Sequence, residues 1–305
     1  MALRVVFLGN DPRSVPTLES LAASGHEVAL VVTREPRPAG RGGELRPTAV
    51  AEAARRLELP LREVATVKEG EGREALEGAD PDVLVVVAYG EILPPEILEL
   101  PRVAPINVHF SLLPELRGAD PVRRAILQGL ETTGVTTMRM DEGMDTGPIL
   151  LRAEEPIAPD DDAGALGERL AALGGRLLVE TLDRLGDLEE VPQDDARATL
   201  AGKIPREEEW IDWAEPVEAV IRRVRALSPE PGARTRLRGR VLKVYRARAV
   251  PGEGEPGTLV SPEEMIVAAG VGAVALEEVL PEGRRRMTGA ELARGHRPEP
   301  GERLG

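Results

Sequence analysis

Five apolar runs in the first 140 residues restrict what this chain can fold into: LRVVFLG (Leu3–Gly9), EVALVVT (Glu27–Thr33), DVLVVVAYG (Asp82–Gly90), INVHF (Ile106–Phe110) and GVTTMRM (Gly134–Met140). Three of them are nearly continuous in Val, Leu and Ile, the pattern of parallel strands covered on both faces. Between them lie stretches with helical spacing and helix stops: SVPTLESLAASG ends at Gly25, and PTAVAEAARRLEL ends before Pro60. This alternation predicts a doubly wound, Rossmann-like α/β sheet. A later helix, AGALGERLAALGGRLLVETLDRL, sets Leu166, Leu170, Leu173, Leu177 and Leu185 on one side as a core-facing stripe. Gly9 ends the first strand, but GNDPRS lacks the G-x-G-x-x-G spacing that brings backbone amides to a pyrophosphate. The sheet therefore implies no NAD site.

From Gly186 to Arg206 the character changes: two prolines, many acids and weak periodicity read as a linker over residues 187–206. It separates a first domain over 1–186 from a second over 207–305. In the second, EEEWIDWAEPVEAVIRRVRAL reads as a helix and its entry, and RTRLRGRVLKVYRARAV alternates like a strand pair turning at Gly239. GTLV, MIVAAG and AVALEEVL add short strands bounded by Gly and Pro, so a small all-β, OB-like barrel is the expected architecture.

Composition excludes several classes. There is no Cys, so disulfides and thiolate metal sites are ruled out, in keeping with a reducing compartment. No apolar run reaches the ~20 residues of a membrane span, and the opening MALRVVFLGN leads directly into a strand without a secretory signal. The expectation is a soluble, cytoplasmic protein without membrane contact. A net charge of -14 opposes general affinity for nucleic acid. The charge is uneven, however: Ile221 to Val250 holds ten Lys or Arg against the single acid Glu230, whereas Arg152 to Asp195 holds thirteen acids and four arginines. A basic face could bind a polyanion locally, or be a solvated strand face.

The polar pair inside INVHF raises the question of chemistry. Asn107 and His109 are two apart, so on a strand they share a face, at the carboxyl end where open α/β sheets bind ligands. SLLP follows as a turn, and DEGMDTGPIL supplies Asp141, Glu142 and Asp145 in a Gly-rich loop after another strand. A carboxylate there could orient the imidazole and stabilise its protonated form. An amide that stabilises an oxyanion, an imidazole that moves a proton and a carboxylate that fixes the ring, without a Ser or Cys nucleophile, suit acyl transfer in which the substrate is the nucleophile. For an isolated Asn-x-His, the alternative is a pair satisfied by backbone at a strand end.

With these tracts together, INVHFSLLPELRG followed by DEGMDTGPIL resembles the folate-dependent formyltransferases, whose hallmark is Asn-x-His, Ser-Leu-Leu-Pro and a distant Asp-Thr-Gly. Within that family, VPTLESL, RPAGRG (Arg37–Gly42), VVVAYGEILP (Val85–Pro94), AGKIPREEEWIDW (Ala201–Trp213) and the closing PGERLG resemble the methionyl-tRNA formyltransferase branch. The resemblance implies 10-formyltetrahydrofolate as donor and the α-amine of methionyl-initiator tRNA as acceptor, with no metal. It implies Asn107, His109 and Asp145 as catalytic residues and Ser111, Leu112, Leu113 and Pro114 as the folate-contacting turn, with Ala88 to Leu93 lining the same pocket. It assigns tRNA contacts to Arg37, Arg41 and Lys203, with the Arg222–Arg248 cluster following the stem. A monomer is expected. A nucleotide-linked amino sugar as acceptor, or an inactive tRNA-binding barrel, are the competing readings.

The chain departs from the family pattern at Phe110 between His and Ser, Glu115-Leu116 before Arg117-Gly118, Asp120, Gly43-Glu44 after the basic loop, and Glu230 between two prolines. These departures bear on the folate turn and the tRNA contacts rather than on Asn107, His109 and Asp145.

Overall fold

The computed structural model describes residues 2–39 and 43–305, which form two compact units. The first comprises the chain to Pro121, Thr132–Pro156 and Gly167–Gly202, and the second comprises Val122–Glu131, Ile157–Leu166 and Lys203–Gly305.

In chain order the first half runs β1 (Arg4–Gly9), α1 (Val15–Ala22), β2 (Glu27–Arg34), a short hairpin of β3 (Arg37–Ala39) and β4 (Glu44–Arg46), α2 (Ala49–Arg56) and β5 (Leu61–Val64). It continues with α3 (Gly70–Ala79), β6 (Val83–Val87), α4 (Pro95–Leu98), β7 (Ala104–His109), α5 (Pro121–Gln128), β8 (Thr132–Arg139), β9 (Ile149–Pro156) and α6 (Ala163–Asp183). The main sheet has the order β5-β2-β1-β6-β7-β8-β9. From β5 to β7 every pairing is parallel, and β1, β2 and β6 are buried along most of their length, as continuous Val and Leu runs require. The chain order reverses at β1, the switch point of a doubly wound sheet.

Strand β6 stops at Val87 rather than at the expected Gly90, because Ala88 (φ 44°) and Gly90 (φ 80°) turn left-handed. Strand β8 runs antiparallel to β7, and β9 antiparallel to β8, so the doubly wound sheet is mixed. The predicted helices are present. Thr48 caps α2 by accepting the Ala51 N–H; in α6 Leu166, Leu170 and Leu177 are buried and Leu173 is half-buried, while Leu185, also half-buried, lies in the turn beyond the helix. Helix α6 lies close to its neighbours because Gly175 carries no side chain: a Cβ there would stand 2.4 Å from Ser20 Oγ and 2.9 Å from Pro16 O.

The segment from Gly186 to Gly202 is laid on the first unit. Val191 bridges Ile149, Leu200 bridges Arg117, and Asp120 N donates to Ala201 O at 3.0 Å.

In the second unit α7 (Val217–Ala226) packs with β10 (Ala233–Leu237), β11 (Arg240–Val250), β12 (Leu259–Ser261), β13 (Ile266–Ala268), β14 (Ala273–Pro281), β15 (Met287–Thr288) and α8 (Gly289–His296). The β10–β11 turn falls at Arg238 (φ 52°) and Gly239 (φ 74°), the paired positive φ values of a tight hairpin. The antiparallel order is β10-β11-β14-β13-β12. The tail joins its two ends: Leu304 bridges Leu237 beside β10, while Arg303 bridges Thr258 and Leu259 N donates to Glu302 O at 2.8 Å beside β12. A sheet with both edges paired is a closed barrel. Its core includes Trp213, whose indole Nε1–H donates to the buried Thr235 Oγ1 at 3.0 Å.

Candidate active site

Successive side chains of β7 alternate. Val108 points to α6, where its Cγ1 lies 3.1 Å from the place a Cβ on Gly174 would occupy, so Asn107 and His109 take the opposite face. Asn107 is half-buried and His109 is 6% exposed. Because β8 runs back along β7, with Asn107 opposite Met138 and His109 opposite Thr136, the loop that follows β8 starts beside Ile106. Met140 N donates to Pro105 O there at 2.9 Å, and the loop carries Asp145 back to the face that holds the amide and the imidazole.

The three side chains converge on the Asp145 carboxylate. Asn107 Nδ2 donates to Oδ1 at 3.2 Å, Gly118 N donates to Oδ2 at 2.7 Å, and His109 Nδ1 stands 3.6 Å from Oδ2. The ring's other nitrogen, Nε2, lies 2.9 Å from the Leu116 carbonyl oxygen. A carbonyl only accepts, so Nε2 carries the proton and Nδ1 is the exchangeable position, facing Asp145. The Leu116 carbonyl thus fixes the tautomer. Asp145 instead stands opposite any proton the ring takes up. Asn107 uses one amide N–H on Asp145 and retains a second.

Of the acids left open by the residues alone, Asp141 is turned into its own loop, accepting from Gly143 N at 3.0 Å and Thr146 Oγ1 at 2.7 Å, and Glu142 is exposed. Gly147 closes the loop at a point where a Cβ would fall 1.9 Å from Arg139 O.

The turn after β7 is tightly held. Ser111 Oγ donates to Glu115 O at 2.6 Å, Thr136 Oγ1 donates to Ser111 O at 2.7 Å, and Leu113 N donates back to Thr136 Oγ1 at 3.1 Å. Ser111, Leu113 and Pro114 are buried, and Leu112 alone keeps partial exposure. Three of the departures find local explanations. Phe110 buries its ring against α6, 3.3 Å from where a Cβ on Gly174 would lie, so it is turned away from the Asn107 face. Glu115 pairs with Arg197 at 3.1 Å. Asp120 is buried and adds to the negative charge facing Arg13, whose guanidinium is held charged chiefly by its hydrogen bond to Asp11.

At the ends of β1, β2 and β6, Asn10 joins three strands: its amide donates to Tyr89 O, and its oxygen accepts from Thr33 Oγ1 at 2.9 Å and Arg34 N at 2.8 Å. Beside it is a cavity of about 240 Å³ whose lining includes Arg34, Arg37, Arg46, Thr48 and Tyr89. The Tyr89 ring is buried, and its hydroxyl finds no partner among the described residues. Burial, then the Glu91 charge, pushes that hydroxyl's pKa up.

Of the tRNA candidates, Arg37 and Lys203 are exposed, and Arg41 lies outside the described residues. Much of the Arg222–Arg248 cluster is engaged within the second unit. Arg223 pairs with Glu215 at 3.1 Å, Arg234 with Glu209 at 2.7 Å and Arg238 with Glu302 at 2.7 Å, while Arg236 lies 4.9 Å over Trp210. Arg246 and Arg248 share the carboxylate of Glu277 and remain well exposed. The cationic surface is smaller than the sequence count implies.

The formyl transferase family model matches residues 3–182, and the model of the formyl transferase C-terminal domain matches residues 203–297. A methionyl-tRNA formyltransferase of Solibacter usitatus is 43% identical over 307 residues, covering 99% of this chain and 99% of its own length. One from Thermus thermophilus is 46% identical over 305 residues, again with 99% of each chain covered. The chain belongs to the methionyl-tRNA formyltransferase family. Its fold is also that of more distant proteins. HypX from Aquifex aeolicus in complex with tetrahydrofolic acid superposes with a TM-score of 0.67 at 18% identity, over 96% of this chain and 47% of HypX. An N-formyltransferase from Helicobacter canadensis, in complex with folinic acid and dTDP-3-aminofucose, gives 0.67 at 18% identity over 90% of this chain and 99% of its own.

Proposed function

We propose that this protein transfers the formyl group of 10-formyltetrahydrofolate to the α-amine of methionyl-initiator tRNA, giving the N-formylmethionyl-tRNA that begins translation. Full-length relationship to methionyl-tRNA formyltransferases supports the substrates, and the convergence of Asn107 and His109 on Asp145 carries the chemistry. The donor set fits the group transferred: an amide N–H is free for a developing oxyanion, and an imidazole nitrogen is free for a proton.

The folate supplies an activated formyl group on nitrogen; the protein supplies charge and proton management. An α-amine titrates near ~8, so the nucleophile is available unprotonated at neutral pH. Negative charge developing on the formyl oxygen is met by the second N–H of Asn107, a donor of a kind typically worth ~10²–10³ in rate. His109 accepts the amine proton at Nδ1 and returns it to the departing nitrogen, a contribution of ~10²–10⁴. While the ring holds that proton, its charge lies against Asp145 Oδ2. Ser111 to Pro114 form the folate turn, with Leu112 as its open side chain. Arg37, Arg41 and Lys203 contact tRNA phosphates, and the cavity holding Arg34, Arg37 and Arg46 adds positive charge beside the β1 terminus. The protein acts as a cytoplasmic monomer; among the described residues no helix is long and apolar enough to cross a membrane.

The test is a formylation assay with charged initiator tRNA, elongator tRNA and a nucleotide-linked amino sugar as acceptors. Formylation confined to methionyl-initiator tRNA, and reduced at least ~10²-fold in His109→Ala, is the expected outcome. Preference for the amino sugar would replace the acceptor. Near-normal turnover in His109→Ala would remove the proton relay.

A further inference from the structure

Asp145 occupies left-handed backbone space (φ 56°), which a non-glycine residue holds only when its surroundings enforce it. Asp141 braces one side of the loop. The other side is held from 48 residues further along the chain, in the segment laid over the first unit after α6. There the half-buried Gln193 donates Nε2 to Asp145 O at 2.9 Å and to Gly147 O at 2.7 Å. Its Oε1 accepts from Arg117 Nε at 3.0 Å and from an Arg117 terminal nitrogen at 2.9 Å. The amide has only one workable orientation, because a guanidinium can only donate and the two carbonyls can only accept.

Arg117 is itself 7% exposed and also pairs with Asp195 at 2.8 Å. It stands between Leu116, whose carbonyl fixes His109 Nε2, and Gly118, whose N–H holds Asp145 Oδ2. One side-chain amide therefore ties together the two loops that set the imidazole and the carboxylate.

We infer that Gln193 is a positioning residue for formyl transfer, acting through Asp145; this rests on the functional reading above. Without its N–H groups the loop is free to relax from the strained backbone, and a shift of ~1 Å at a reacting group costs on the order of 10²-fold in rate.

The discriminating variant is Gln193→Glu, assayed with full-length protein, 10-formyltetrahydrofolate and charged initiator tRNA, with thermal unfolding measured alongside. Glutamate has the same length and keeps a partner for Arg117, but it offers no N–H to the carbonyls of Asp145 and Gly147. It is expected to lower kcat about 10- to 100-fold, as is Gln193→Ala, with KM for both substrates within about threefold. In an Asp145→Asn background it is expected to cost no more than about a further threefold, since residues that act as a unit are not additive. A residue that only holds the fold would be rescued by glutamate, and its losses would multiply with those of Asp145→Asn; either result overturns the inference. If Gln193→Ala does not fold, Gln193→Glu decides. Wild-type protein that fails to formylate charged tRNA overturns the functional reading and this inference together. Active wild type with an unimpaired Gln193→Glu overturns this inference alone.

Discussion

Replacing Asp145 by asparagine removes one charge and one acceptor at nearly constant size. The carboxylate accepts from Asn107 and Gly118 and faces His109 Nδ1 at 3.6 Å, with side chains 14% and 6% exposed. An asparagine that keeps its oxygen on the Gly118 N–H turns its own amide hydrogens toward Asn107 Nδ2, donor against donor. The proton taken up by His109 then loses its opposing charge. Two unit charges 3.6 Å apart interact by about 5 kcal/mol at an effective dielectric of about 20, and by about 1 kcal/mol in bulk water. Burial places this pair nearer the first value. Since about 1.4 kcal/mol is a factor of ten, kcat should fall ~10²–10³-fold. KM for both substrates should change little, because the charge pair exists only after proton transfer has begun. Steady-state formylation, with folate and charged tRNA varied in turn, reads both quantities. A kcat within tenfold of wild type, or a loss confined to KM, would refute this electrostatic role.

Other outcomes follow from features away from the carboxylate. Arg37→Ala should raise KM for tRNA and reduce the slope of log KM against log salt by about one, leaving the folate KM unchanged; an unaltered slope rejects the phosphate contact. Leu304→Ala, at a buried position where the tail closes the barrel, should cost ~2–5 kcal/mol in urea unfolding, and a loss below ~1 kcal/mol would mean that the closure is not structural. The Asp82 carboxyl is held below its ordinary pKa, chiefly by the Arg4 backbone N–H and then by Arg102. Its contribution to stability is therefore full at neutral pH and is lost as pH falls below about 4. Urea midpoints of wild type and Asp82→Asn should differ at pH 7 and draw together as pH falls below about 4; a gap that stays the same from pH 7 into acid contradicts the assignment.

The parts of this molecule that could be read from sequence are those in which one side chain's environment is set by its near neighbours. Unbroken Val and Leu runs gave away β1, β2 and β6, and the two-residue spacing of Asn107 and His109 fixed their common face. The direction of β8 left no such mark: its composition would be the same either way, and only the pairing of His109 with Thr136 reveals it. Strand β5, LREV, is too short and too polar to stand out. Gln193 was invisible for a different reason. Its partners are two backbone carbonyls and one guanidinium, and a carbonyl carries no residue identity. It also lies among acids and prolines without periodicity, the features of a connector. The basic segment after Ile221 misled in the opposite sense, because the carboxylates that pair with it lie outside the segment: Glu209, Glu215, Glu277 and Glu302.

The stretch between α6 and residue 202 lies far along the chain from the sheet it rests on. A fragment ending at residue 186 would keep all seven strands of the main sheet and still be missing the amide that spans the Asp145 loop and Arg117. Excising the first half at that point, or grafting it onto another partner there, would also strip the bridges that Val191 and Leu200 make to Ile149 and Arg117 and leave the Asp145 loop unbraced on that side.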